Sequence, residues 1–384
     1  MNLIKDNNNN ESSWMLIIDD ADLIRVCEVL SKKKVMGVDL ESDSMFHYRE
    51  KICLVQISIP GLNILIDTLS VKDLSPLYPI FSNPEIRKVF HGADYDIRSL
   101  FRDFKIEVGS LFDTQIAARF LGTTQTGLSS ILESRFGVRL EKKYQKSDWS
   151  KRPLSMDMLQ YAIQDTLYLI PLSNMLEDEL REKGRLSWFE EECELQSRVR
   201  FSPPNDGPLY LRFKGASKLP PRDLATLEEI LKWREELASR KDIPPFKVLG
   251  NEQIFAIVNK KPSDMEDLYS FSAKQVNSIG RAILKCIQTA MNMPDDNLPS
   301  FPKEKRRKQS ALTLKKINAL KKWREEYGKK TGLDPSAICP NSLIQAISAM
   351  DQCSIDGFKG LVEMRKWQIN LFGKEVCALL SSIC

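Results

Sequence analysis

The sequence predicts an α/β layer domain in its first half, a mixed sheet flanked by helices, followed by two small all-helical domains. Three observations point there. Short β-branched apolar runs near the start give way, after residue 94, to apolar residues at helical spacing. Clusters of Pro and Gly interrupt the chain at two later places. Beyond the first of these, one helical segment occurs twice. A length of 384 residues fits two or three domains at about 100–200 residues each.

Taken in order, VMGVDL (Val35 to Leu40), ICLVQISI (Ile52 to Ile59) and NILID (Asn63 to Asp67), the last two around Gly61, read as a three-strand meander. KVFH (Lys88 to His91) is a fourth strand. From Asp94 the apolar positions Ile97, Leu100, Phe101 and Phe104 mark a helix, with Asp94 as its cap. Further helices are expected over Asp113 to Leu121, capped by Asp113, over Leu128 to Phe136, and from Met156 to Arg181. FSPPNDGP (Phe201 to Pro208) and MPDDNLPSFPKEKRRK (Met293 to Lys308) are linkers. LKWREELASRKDIPP, from Leu231, aligns with LKKWREEYGKKTGLDP, from Leu320, which places Trp233 and Trp323 in equivalent positions. These Trp-Arg-Glu faces read as core and capping features.

Composition narrows the chemistry. No apolar run reaches 18 residues and the start has no apolar h-region, so neither a membrane span nor a secretory signal is expected. The eight cysteines form no C-x-x-C pair, which fits free thiols in a reducing compartment. With only His47 and His91, an imidazole metal cage or a Ser-His-Asp triad has almost nothing to draw on. Carboxylates are the available chemistry, and their hard oxygens suit Mg²⁺ or Mn²⁺. Charge is uneven: residues 1–200 carry 26 Lys+Arg against 31 Asp+Glu, and residues 201–384 carry 30 against 21. Segment 303–330 alone holds 12 basic and 3 acidic residues. Such a stripe is either a footprint for phosphates, with Lys305, Arg306 and Arg307 at its head, or a solvated helix face and localisation signal.

The carboxylates fall where chemistry needs them. Asp39 and Glu41, two apart on a strand, point to one side of the sheet, and two such charges repel unless a cation joins them. Asp96 lies early in the helix after KVFHGADYD, and Tyr161 and Asp165 share a helical face at i, i+4. Each feature alone is common as a solvated or capping group. Their joint order, strand, helix start, late helix, is specific.

These residues resemble the DEDD superfamily of 3′→5′ exonucleases, in the branch with a tyrosine in the third motif. Asp39-Leu40-Glu41 is similar to the first motif, His91 to Asp96 to the second, and Tyr161 to Asp165 to the third. The similarity continues through YREKICLVQIS, FDTQIAARFLG and KSDWSKRPLS. The two repeats resemble HRDC domains, the second departing further from the pattern, and nearly the whole chain resembles the ribonuclease D family. The resemblance implies an RNase H-like exonuclease domain over 14–200 and HRDC-like domains over 209–292 and 309–384. It implies two divalent ions, Mg²⁺ or Mn²⁺, held by Asp39, Glu41, Asp96 and Asp165, with Tyr161 orienting or deprotonating the attacking water. The expected substrate is the 3′ end of structured RNA such as transfer RNA precursors, and the expected state a cytoplasmic monomer free of membrane. An exonuclease acting on DNA, or a non-catalytic nucleic-acid scaffold, remains the alternative; no carboxylate and no tyrosine of the set is missing, which favours the enzyme. Phe46 and His47 are candidates to wedge against a terminal base, and Trp149 and Arg152 to touch the nucleic-acid backbone, although an indole beside Pro153 also packs well. His91 is read as a buried hydrogen-bonding histidine.

Overall fold

A computed structural model describes residues 4–5, 13–203, 206–269, 273–302 and 310–383. They divide into two units, one of residues 1–42, 52–201 and 307–384, the other of residues 43–51 and 202–306. In the first unit the apolar runs assemble one mixed sheet. Its strands are β1 (Ile4–Lys5), β2 (Ser13–Ile17), β3 (Val35–Ser42), β4 (Ile52–Ile59), β5 (Leu62–Asp67), β6 (Arg87–Phe90) and β7 (Leu111–Asp113), in the order β1-β2-β5-β4-β3-β6-β7. The expected meander is β3-β4-β5, antiparallel throughout. β2 and β6 add to it in parallel. Every residue of β4 is buried, because helices cover both faces of the sheet centre.

The helices of this unit are α1 (Asp20–Leu30), α2 (Tyr78–Ser82), α3 (Asp94–Phe104), α4 (Thr114–Phe120), α5 (Leu128–Phe136), α6 (Met156–Leu167), α7 (Leu169–Glu182) and α8 (Leu186–Ser197). The single helix expected from Met156 to Arg181 is two. The chain turns at Tyr168 (φ −98°, ψ −1°). Pro171 explains the break: inside a continuous helix its ring would clash with the carbonyl of residue 167, whereas at the third position of α7 its missing N–H is not needed. The junction lies on β3, where a Cβ on Gly37 would approach Thr166 O at 3.1 Å and Leu169 Cβ at 3.2 Å. A side chain there would press on the α6–α7 junction, so glycine favours this close seat, and α6 is further tied to β4 by the Ser58 and Thr166 hydroxyls at 2.6 Å.

Asp94 is not the cap of α3. Ala93 occupies that position, and the Asp94 carboxylate pairs with Arg98 Nε at 2.9 Å and accepts from Gln196. Asp113, from further along the chain, accepts from Gly92 N (2.9 Å) and Ala93 N (2.8 Å), the two N–H groups leading into α3, and also caps α4 through Gln115 N (2.8 Å) and Ile116 N (3.3 Å). One carboxylate therefore serves two helix starts.

The second unit contains α9 (Pro221–Lys241), α10 (Pro245–Val248), α11 (Asn251–Lys260), α12 (Met265–Tyr269) and α13 (Ala273–Met291), around Leu224, Leu227, Ile230, Ile254, Val258 and Ile283. The second repeat, in the first unit, contains α14 (Ala311–Thr331), α15 (Pro335–Ile338), α16 (Asn341–Ser348), α17 (Ile355–Lys359) and α18 (Lys366–Ser381). The repeated arginine has one job in both: Arg234 donates to Leu249 O (3.2 Å) and Asn251 Oδ1 (2.7 Å), and Arg324 to Cys339 O (2.9 Å) and Asn341 Oδ1 (3.1 Å). It ties the long first helix to the turn opening the third, as the capping reading requires. Among the described residues no helix is long and apolar enough to cross a membrane.

Candidate active site

Three elements meet over the face of the sheet covered by α6. β3 brings Asp39 and Glu41, and its register with β4 shifts between Glu41 and Ser42, a bulge that ends the regular ladder at the second carboxylate. α6, started by Ser155 with its hydroxyl on Met158 N, brings Tyr161 and Asp165 on one face. Oxygens of Asp39, Glu41 and Asp165 lie within 4.8 Å of one another. Asp96, in the first turn of α3, acts electrostatically on both Asp39 and Glu41 but lies outside that 4.8 Å group.

The electrostatics are those of uncompensated charge. Burial, then Asp165 and Asp96, push Asp39 well above the usual carboxylate range, and burial, then Asp39, Asp165 and Asp96, do the same to Glu41. Burial raises Asp165 to about 7 against the lowering hydrogen bond from Tyr161, and burial together with Asp113 raises Asp96 to about 7. Among the described residues, the leading influences on these four carboxylates are burial and neighbouring acids, with no basic side chain among them. An all-oxygen cluster with no counter-charge fits a hard divalent cation, which would remove the repulsion that otherwise favours protonation. The phenol of Tyr161 is hydrogen-bonded to Asp165, and burial with the surrounding carboxylates drives its pKa upward. Its ring packs against Tyr144 (5.9 Å between centroids) and Trp149 (6.2 Å).

The other candidates fall elsewhere. Trp149 is 1% exposed, one of the largest fully buried side chains, and leaves no face for a nucleic acid. Arg152 forks onto Asp67 with two contacts of 2.6 Å and donates to the carbonyls of Trp149 and Cys53. Both are corrected from backbone contacts to structural groups, since a buried indole and a guanidinium spent on a buried carboxylate are not available to phosphate. Phe46 and His47 belong to the second unit, where Lys247 Nζ lies 4.2 Å over the Phe46 ring and His47 Nδ1 is 2.7 Å from Asp242. Lys305, Arg306 and Arg307 lie outside the described residues. His91 bonds Thr114 Oγ1 at 2.8 Å through Nδ1, as a structural histidine does. Sequence reasoning passed over Gln56: it stands directly opposite Asp39 on β4, fully buried, with neither amide atom hydrogen-bonded to protein. The signal was an amide in the middle of the apolar run ICLVQISI.

Known proteins resemble this chain along most of its length. Residues 15–181 match the family model described as 3′-5′ exonuclease, and residues 223–287 and 314–380 match that of the HRDC domain. The chain is 30% identical over 365 residues to a ribonuclease D of Acidiphilium cryptum, covering 93% of this chain and 90% of the relative. It is 28% identical over 370 residues to a ribonuclease D of Nitrobacter hamburgensis, covering 95% and 94%. The crystal structure of Escherichia coli RNase D, described as an exoribonuclease involved in structured RNA processing, superposes with a TM-score of 0.69 at 25% identity over 96% of this chain and 99% of that one.

Proposed function

Since the chain belongs to the ribonuclease D family, we propose that it is a 3′→5′ exoribonuclease that trims structured RNA, transfer RNA precursors among them. The observation that carries this is the group of Asp39, Glu41 and Asp165 within 4.8 Å, with Tyr161 hydrogen-bonded to its last member. Asp39, Glu41 and Asp165, with Asp96 beside them, would hold two divalent ions, Mg²⁺ or Mn²⁺. Bound there, such ions supply the Lewis-acid chemistry of phosphodiester hydrolysis. The chain's own residues do the rest. The β3 bulge and the close seat of α6 on Gly37 fix the carboxylates relative to one another, so little reorganisation accompanies binding. Tyr161, raised in pKa, keeps its proton; it donates to Asp165 and offers its lone pairs to orient a water, so its role is orienting. The basic second half supplies phosphate contacts to the body of the RNA. The protein works as a cytoplasmic monomer with three domains, 14–200, 209–292 and 309–384.

The test is digestion of 5′-labelled RNA and DNA oligomers side by side, with Mg²⁺, with Mn²⁺ and with EDTA. A ladder shortening from the 3′ end of RNA, lost in EDTA, is expected. Faster loss of DNA would move the substrate, and no cleavage of either would leave only a nucleic-acid scaffold.

A further inference from the structure

The second helical repeat holds two thiols in contact. Cys353 lies between α16 and α17, Cys377 lies on α18, and their Sγ atoms are 2.7 Å apart. Two sulfurs placed side by side on neighbouring segments are positioned for a disulfide, whose bond is ~2.05 Å. Both residues are half-buried. Cys27 and Cys339, by contrast, are buried, and burial pushes their thiols up to about 11 and about 12, away from reactivity.

The stretch between the two sulfurs has a second property. It contains several of the residues that seat this domain on the sheet domain. Arg365 Nε lies 3.0 Å from Glu192, the backbone N–H groups of Lys366 and Trp367 donate to Glu191 at 2.8 and 3.0 Å, and the Trp367 ring stacks on Trp188 at 5.1 Å. A bond between Cys353 and Cys377 would close a loop around this docking segment and remove conformational freedom from its unfolded state.

We propose that Cys353 and Cys377 form a reversible disulfide that staples the segment docking the second helical domain. The thiolate of one cysteine attacks a sulfur of a low-molecular-weight disulfide such as oxidised glutathione, forming a mixed disulfide and expelling one small thiol. The second thiolate then attacks the protein sulfur of that mixed disulfide and expels the other. Two electrons and two protons pass from the cysteine pair to the small disulfide. In a reducing compartment the pair rests as dithiol, and the bond follows oxidation.

The full-length protein is equilibrated anaerobically across a series of reduced to oxidised glutathione ratios, alkylated and mapped by mass spectrometry. Two of the eight thiols should be lost together, in one peptide pair joining Cys353 to Cys377, and return with dithiothreitol. The oxidised protein should unfold several degrees above the reduced one, and Cys353→Ser or Cys377→Ser should abolish both the crosslink and the shift. Glutathione found separately on each cysteine, or no crosslink when the small disulfide pool is wholly oxidised, would overturn the site. A crosslink that leaves the unfolding temperature unchanged would overturn the staple.

Discussion

Burial of the site's carboxylates should make the metal-free protein less stable as they ionise. Asp165 is raised by burial to about 7 in the folded chain from an ordinary value of 3.8. A folded-state value above the unfolded one means that folding favours the proton. The benefit is complete below the unfolded range near 4 and is lost as pH rises through about 7. Asp165→Asn should therefore unfold at a higher temperature than wild type in EDTA at pH 8, by roughly 2–4 °C for each kcal/mol relieved, with the gap shrinking at pH 5. The same variant should lose about 10²–10⁴ in kcat. Calorimetry across pH decides it: a destabilised variant at pH 8 would mean that the Tyr161 hydrogen bond to the charged carboxylate outweighs the cost of burying it. Tyr161 separates packing from chemistry. Its ring is held by Tyr144 and Trp149 and its oxygen by Asp165, so Tyr161→Phe keeps the packing and deletes one hydrogen bond. Unfolding temperature should change little while kcat falls about 10²-fold or more at unchanged KM; unchanged kcat across several pH values would remove the phenol from the reaction.

At the scale of elements, the segment before α6 is anchored by Arg152 on Asp67, the last residue of β5. Burial pushes the Asp67 carboxyl up, but the Arg152 and Ser70 hydrogen bonds outweigh it and leave it below its ordinary value of 3.8. A lowered folded value gives stability that is present above the unfolded range and lost as pH falls through the folded value. Asp67→Asn should cost about 1–3 kcal/mol at pH 7, with the difference from wild type narrowing in acid titrations below pH 4. A constant difference down to pH 2 would show that packing and not charge holds the clamp. This clamp also marks what was legible in the sequence. β3 to β5 and the sidedness of Asp39 with Glu41, or of Tyr161 with Asp165, follow from periods of 2 and 3.6 residues, which local sequence carries. The partners of Arg152 and Trp149 do not, because Asp67 and Cys53 are brought beneath that segment only by the sheet; an arginine and an indole beside a proline look the same on a surface. For the same reason Asp113 could be read as the cap of α4 but not of α3, whose start it reaches across from β7. β2 passed unnoticed because SWMLI earns its strand by pairing with β5.

The whole molecule ties the end of the chain to its beginning. Reading three domains in series suggests that residues 1–201 can be cut away intact, but the second helical repeat packs into the same unit as the sheet. Trp367 stacks on Trp188, meets Phe120 edge-on at 5.5 Å, and donates to Glu192. Arg185 of the sheet domain donates in turn to Thr331 O at 2.9 Å. The fragment 1–201 would expose Phe120, which is 5% exposed in the full chain, together with the Trp188 ring. Loss of a packed tryptophan costs about 3–5 kcal/mol, so both Trp367→Ala and the fragment should unfold well below the full chain, the fragment with a tendency to associate through the uncovered aromatic patch. The five residues of the candidate site all lie within 1–201, so cleavage of short oligomers per folded molecule should survive in each. Affinity for long structured RNA should fall in the fragment alone, and its slope of log K against log salt should flatten by about 0.7 for each phosphate no longer neutralised. A fragment that melts with the full chain and stays monodisperse would show that the docking contacts add nothing to the sheet domain. An unchanged salt slope would assign the basic second half to something other than the RNA backbone.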